Sequence, residues 1–139
     1  MLRILSVDDD ASNRSLIRAV LTRADDAPIR EAVVIEATTL AEARAILGRE
    51  SVDLVLLDVH LPDGLGLDLA TELKDRGAQR PAILALTASV LPADQQAALA
   101  AGCDAYLAKP FTALDLVSTI RRLIAEVADR RSVDGASAT

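Results

Sequence analysis

VDLVLLD, residues 52–58, is an almost wholly apolar run closed by an aspartate. A run of this kind suits a central parallel strand, buried on both faces, because an edge or half-exposed strand would alternate apolar with polar positions. Its neighbours in the sequence point the same way. LPDGLG, residues 61–66, is loop chemistry, and Leu69, Ala70 and Leu73 then fall at helical spacing before Gly77. Upstream, Leu40, Ala43, Ile46 and Leu47 share one helical face, with Thr38 or Thr39 placed to cap it and Gly48 near its end.

The same alternation extends to both ends of the chain. Leu2, Ile4, Leu5 and Val7 form a short apolar strand that stops at Asp8, Asp9 and Asp10. Ser12 or Asn13 is placed to cap a helix carrying Leu16, Ile17, Val20 and Leu21, and a loop around Asp25–Pro28 leads to the strand AVVIEA, 32–37. Downstream come the strand AILALT (82–87), an Ala-rich helix opened by Pro92 and ended at Gly102, and the strand DAYLAK (104–109) before Pro110. Thr112 and Asp115 resemble a capping box, and Leu116, Val117, Ile120, Leu123, Ile124 and Val127 form one wide apolar stripe. The domain is expected over 1–128, with 129–139, DRRSVDGASAT, a polar tail or the start of a linker.

Five strands alternating with five helices predict an α/β fold, a doubly wound parallel sheet with helices on both faces. Composition agrees. The chain has 139 residues, 51% of them hydrophobic, so one domain with a substantial core is expected. Tyr106 and Phe111 are the only aromatic residues, which leaves the core to Leu, Ile, Val and Ala. A net charge of −6 with no cationic cluster argues against direct nucleic-acid binding. A single cysteine, Cys103, excludes an internal disulfide and suits a reducing cytosol; its place after Gly102 reads as packing. No apolar run is long enough for a signal peptide or a bilayer span, so a cytoplasmic location is expected.

In sheets of this type ligands bind at the carboxyl ends of the strands. Asp8 and Asp9 end the first strand, Asp58 the third, Thr87 the fourth and Lys109 the fifth, all on that one edge. Singly, each has an ordinary reading: a solvated loop, a strand terminus, a surface lysine. Together they make a site. Converging carboxylates repel one another unless a cation sits between them, and an oxygen-only acidic cluster suits Mg²⁺. Lys109 and the Thr87 hydroxyl are suited to a phosphoryl group, and one carboxylate could then act as the nucleophile toward phosphorus. The sequence alone leaves Asp8/Asp9 and Asp9/Asp10 open as the acidic pair.

ILSVDDDASNR (4–14), LVLLDVHLPDGLGLDL (54–69), LALTA (84–88) and AYLAKPF (105–111) together resemble the receiver domain of bacterial two-component response regulators, over about residues 2–127. The resemblance implies a flavodoxin-like (βα)5 fold with strand order 2-1-3-4-5. It implies that Asp58 is the phosphoacceptor and that Asp9 and Asp58 bind Mg²⁺ directly, with Asp8 holding its waters and His60 giving its backbone carbonyl. The family spacing to Arg14 favours Asp8/Asp9 as the pair and leaves Asp10 as an exposed residue at the helix start. Lys109 and Thr87 would contact the phosphoryl group with the amides of Val59 and Ala88; Tyr106 matches the switch aromatic and Lys109–Pro110 a peptide bond that is usually cis.

The same resemblance implies a histidine kinase or histidine phosphotransfer protein as phosphoryl donor. It also implies a downstream protein partner on the face made by helix 92–101, strand 104–109 and the last helix. That helix carries Ala97, Ala98, Ala100 and Ala101 with Leu99 its only large apolar residue, and so is the least firmly held. The domain would catalyse only its own phosphoryl transfer and dephosphorylation, as a stand-alone regulator or as the receiver of a larger protein. Two other classes fit the architecture. A flavin binder would want a Ser/Thr-rich phosphate loop and aromatic walls, both lacking; a degenerate receiver would lack site residues that are all present. The imidazole of His60, the only histidine, is expected to face solvent.

Overall fold

The computed structural model describes residues 1–137. Five parallel strands, β1 (Arg3–Val7), β2 (Val33–Ala37), β3 (Leu54–Asp58), β4 (Ala82–Thr87) and β5 (Ala105–Ala108), form one sheet in the order β2-β1-β3-β4-β5. The helices between and after them are α1 (Ala11–Thr22), α2 (Leu40–Arg49), α3 (Gly66–Lys74), α4 (Pro92–Ala101) and α5 (Ala113–Ser137). Strand order reverses between β1 and β3, where the chain leaves β1 for the edge strand β2 and returns to pair β3 on the other side. A crevice at the carboxyl edge follows from that reversal.

Strand periodicity divides the core. Val55 and Leu57 of β3 and Ile83 and Ala85 of β4 pack under α2, α3 and α4. Leu54 and Leu56, with Ala82, Leu84 and Leu86, pack under α1 and α5. Alternate side chains of a strand point to opposite faces, so a strand covered on both sides must be apolar at every position. The central strands meet that demand: all of β4 is buried, and β3 is buried up to Asp58. The two layers are held unequally. Helix α5 sends Leu116, Ile120, Leu123 and Val127 into the core, whereas Ala98 is the only buried residue of α4 and Leu99 is 52% exposed.

The structure departs from the sequence expectations where hydrogen bonds, not periodicity, decide. Helix α1 is capped by Asp10, which accepts the amides of Ser12 and Asn13; neither of those two residues is the cap. The loop around Asp25–Pro28 contains a helical turn, Ala27–Arg30, capped by Asp26. LPDGLG holds a minimal antiparallel ribbon, with His60 opposite Leu65 and Leu61 opposite Gly64.

The tail expected from 129 is also corrected. Helix α5 continues to Ser137, because Arg130 and Arg131 turn back onto the amino-terminal edge of the sheet. Arg131 donates to Asp53 at 2.6 Å and to the carbonyls of Val52 and Gln79, and Arg130 donates to the carbonyls of Ala78 and Arg80. Residues 138–139, the end of the expected tail, lie outside the described residues. Arg131→Ala removes charge-assisted bonds at a half-buried position and is expected to lower stability by about 1–2 kcal/mol. Urea unfolding checks this; an unchanged midpoint would mean that the end of α5 contributes nothing.

Candidate phosphoryl and cation site

Four of the five strands, all but β2, deliver polar residues from their carboxyl ends to the same edge. Ligand oxygens of Asp8, Asp9 and Asp58 lie within 4.8 Å of one another. Lys109 reaches in from the end of β5, its Nζ 3.3 Å from Asp8 Oδ2 and 3.9 Å from Asp58 Oδ2. Thr87 is buried at the end of β4. Of the three consecutive aspartates, Asp8 and Asp9 gather with Asp58, while Asp10 is engaged as the α1 cap.

The two members of the pair are held differently. Asp8 is buried and fixed at every polar atom. Its amide donates to the Ala37 carbonyl, its carbonyl accepts Arg14 Nη1 at 2.7 Å, and Oδ1 accepts the Asp10 amide. Arg14 is itself steadied by Glu36. Asp9 is exposed, its carboxylate open toward the cleft that the other two line.

Asp58 is half-buried at the foot of this cleft. Burial holds its carboxyl above the ordinary carboxylate range; the His60 amide and Lys109 pull it back down, and the neighbouring Asp8 and Asp9 push it up again. An uncompensated carboxylate in such a place is costly. Three hard oxygen donors facing one ammonium leave room for one more cation, and the donor set fits Mg²⁺ rather than a metal that seeks nitrogen or sulfur. The two oxygens of Asp58 are not equivalent. Oδ1 accepts the His60 amide at 3.1 Å, while Oδ2 faces Lys109 without a hydrogen bond among the described residues.

The remaining predicted residues fall around this centre. The His60 imidazole is exposed, and Lys109–Pro110 is cis. Ala88 follows Thr87 on the exposed rim. The Val59 amide donates to the Leu86 carbonyl at 3.3 Å, so it is engaged within the sheet edge and would have to turn to meet a phosphoryl oxygen. Tyr106 donates its hydroxyl to the Ser89 carbonyl at 2.6 Å, and the Ser89 amide in turn donates to Thr87 Oγ1 at 3.3 Å. A cleft of about 300 Å³ is lined by this chain of contacts, Thr87, Ser89 and Tyr106, together with His60, Asp94 and Ala97 among others. Cys103 is buried, with burial pushing its thiol up to about 12, which agrees with a packing role.

Gly66 is a site residue that the sequence reading passed over. Its amide donates to the Val59 carbonyl at 2.7 Å, and a Cβ there would lie 2.2 Å from the Asp58 carbonyl oxygen. Only glycine lets α3 start so close behind the acidic strand end. The signal available in the sequence was a glycine pair, Gly64 and Gly66, directly after the apolar strand.

Residues 4–121 match the response regulator receiver domain family. The response regulator MprA of Mycobacterium leprae is 36% identical over 123 residues, covering 88% of this chain and 51% of that protein. The transcriptional regulatory protein CpxR of Klebsiella pneumoniae is 38% identical over 124 residues, covering 89% of this chain and 50% of that protein. The chain thus spans about half the length of these curated relatives. A CheY-like receiver domain protein from Methanospirillum hungatei JF-1 superposes with a TM-score of 0.80 at 28% identity, over 93% of this chain and 98% of that one.

Gly66→Ala forces backbone to move, not a flexible side chain, and is expected to cost about 1–3 kcal/mol. The amide resonances of Asp58 and Val59 should shift with it. Wild-type stability and unshifted resonances in the variant would show that the approach is looser than the structure has it.

Proposed function

The chain belongs to the response regulator receiver domain family, and on that footing we propose that Asp58 accepts a phosphoryl group from a histidine kinase or histidine phosphotransfer protein. The domain is a phosphorylation-dependent signalling switch. One observation supports the assignment of residues: Asp58 Oδ2, which has no hydrogen bond among the described residues, lies 3.9 Å from the Lys109 ammonium, on a carboxylate gathered with those of Asp8 and Asp9.

The chemistry asked of the protein is slight. An Asp58 oxygen attacks phosphorus; the O–P bond forms as the bond from phosphorus to the donor breaks, and the bonding pair leaves with the donor nitrogen or, for acetyl phosphate, with the acetate oxygen. Lys109 neutralises the phosphoryl oxygens beside Asp58, and the Thr87 hydroxyl and the amides of Val59 and Ala88 complete their hydrogen bonding. Asp9, Asp58 and the His60 carbonyl would hold Mg²⁺, and Asp8 would hold its waters; the ion would supply positive charge to the transferring group. The domain acts on no other substrate. It catalyses its own phosphoryl transfer and dephosphorylation, in the cytoplasm.

The output runs along contacts already present. A phosphoryl group on Asp58 draws the Thr87 hydroxyl, which releases the Ser89 amide and disturbs the segment that Tyr106 holds by its carbonyl. Helix α4 follows that segment and meets the core chiefly through two small residues, buried Ala98 and half-buried Ala101, so it is the element most easily moved. The face formed by α4, β5 and α5 is then the surface read by the downstream partner. Exposed Val90 and Leu91 at the start of α4 lie where such a change would be felt.

Asp58→Asn is expected to abolish Mg²⁺-dependent labelling by acetyl phosphate. The fold should survive: ionisation of Asp58 is disfavoured in the folded state, so the neutral amide relieves a cost present at neutral pH and lost as pH falls through the raised folded-state value. In metal-free buffer the variant should melt about 2–4 °C above wild type. Full labelling of the variant would move the acceptor elsewhere. Separately, Asp9→Ala should lose Mg²⁺ binding by calorimetry while Asp10→Ala, which removes only a cap, should keep it; loss of binding in both variants would return the pair to Asp9/Asp10.

A further inference from the structure

The tip of the ribbon after Asp58 is fastened to a distant part of the chain. Asp63 Oδ1 accepts the Leu40 amide at 2.8 Å, and Oδ2 accepts the Ala41 amide at 3.1 Å. These are the first two amides of α2, which no carbonyl within the helix can reach. The side chain of the local cap, Thr39, accepts only the Glu42 amide. Asp63 is therefore a second cap for α2, delivered from 23 residues away. Its neighbour Gly64 lies flat against the same helix start, where an added Cβ would sit 3.1 Å from Leu40 Cδ1. The Leu40 amide, more than any other group, holds the Asp63 carboxyl below its ordinary range, as expected of a carboxylate gripped by backbone donors.

The ribbon needs this grip. It consists of two bridged pairs, His60 with Leu65 and Leu61 with Gly64, and a hairpin far longer than that is only marginally stable by itself. Its root is closed by the Gly66 amide on the Val59 carbonyl. Between the fixed root at Val59 and the fixed tip at Asp63 runs the strand that begins with His60, whose amide holds Asp58 Oδ1.

We infer that Asp63 is a positioning residue of the phosphoacceptor site: by clamping the ribbon onto the start of α2 it holds the 58–60 segment in place beside Asp8 and Asp9. The inference rests on Asp58 and its neighbours being the cation and phosphoryl site. Asp63 itself touches neither group; it acts through the ribbon, as outer partners commonly do for a metal ligand set.

A control is built into the same helix. Thr39→Ala removes the other cap of α2 without touching the ribbon, so it reproduces the structural loss alone. Asp63→Ala and Thr39→Ala should each lower the melting temperature by about 2–4 °C. Only Asp63→Ala should displace the Val59 and His60 amide resonances of the metal-free protein. It should also raise the MgCl₂ concentration for half-saturation, followed on those resonances, by roughly tenfold. Asp63→Asn keeps an acceptor for Leu40 and should fall between wild type and Asp63→Ala. Equal effects of Asp63→Ala and Thr39→Ala on those resonances, or no effect of either, would overturn the inference. A wild-type protein that bound no Mg²⁺ and took no label from acetyl phosphate would instead refute the reading of Asp58, and the metal-free resonances would still decide the role of Asp63.

Discussion

A carboxylate at the end of a wholly buried strand is tolerated only where other groups share its charge, and the carboxyl edge of this molecule is arranged around that requirement. Asp58 cannot retreat into solvent, because β3 is the middle strand of the sheet and both of its faces are covered. Asp8 and Asp9 aggravate its position and Lys109 relieves it. One ammonium against three carboxylates leaves the edge electrically unfinished. An added cation and a phosphoryl group, as proposed, would supply opposite charges to that one place, which would make the site chemically coherent and not merely acidic.

Much of this was legible in the sequence because parallel βα units put every strand end on one side. Once 52–58 is read as a central strand, Asp8, Asp9, Asp58, Thr87 and Lys109 have nowhere else to go. The helix faces were equally legible, since Ile17, Leu47, Leu73 and Ile120 occupy periodic positions that end buried. What escaped were contacts with no period. Capping by Asp10 in place of Ser12 or Asn13 turns on a shift of a few residues at a helix start, and the grip of Asp63 on α2 joins segments far apart in the chain. Gly66 escaped for a different reason. Its importance lies in the atom it lacks, and that is visible only once the Asp58 carbonyl is seen behind it.

The end of α5 shows the same limit from the other direction. DRRSVDGASAT is polar, and polarity near a terminus reads as tail. Yet Arg130 and Arg131 bind backbone carbonyls and Asp53 at the edge of the sheet opposite the site. Arginine carries its charge on a long stem and can serve as a fastener as well as a solvated surface group. The fold is thus tied at both edges of the sheet, by acidic caps at the carboxyl end and by arginines at the amino end.

Helix α4 is the exception to this fastening. Ala98 is its single buried residue, and the side chains around it meet mostly solvent. A helix that meets the core through two alanines, Ala98 and Ala101, leaves most of its other positions open to change at little cost to folding. Mutation can therefore rewrite that surface while the acidic edge and the buried strands stay fixed. The same scaffold can acquire a new listener without relearning how to be phosphorylated. With α4 in the proposed partner face, a gene copy that drifts there would keep its chemistry and lose its old audience, which is one physical route by which duplicated signalling domains become insulated from each other.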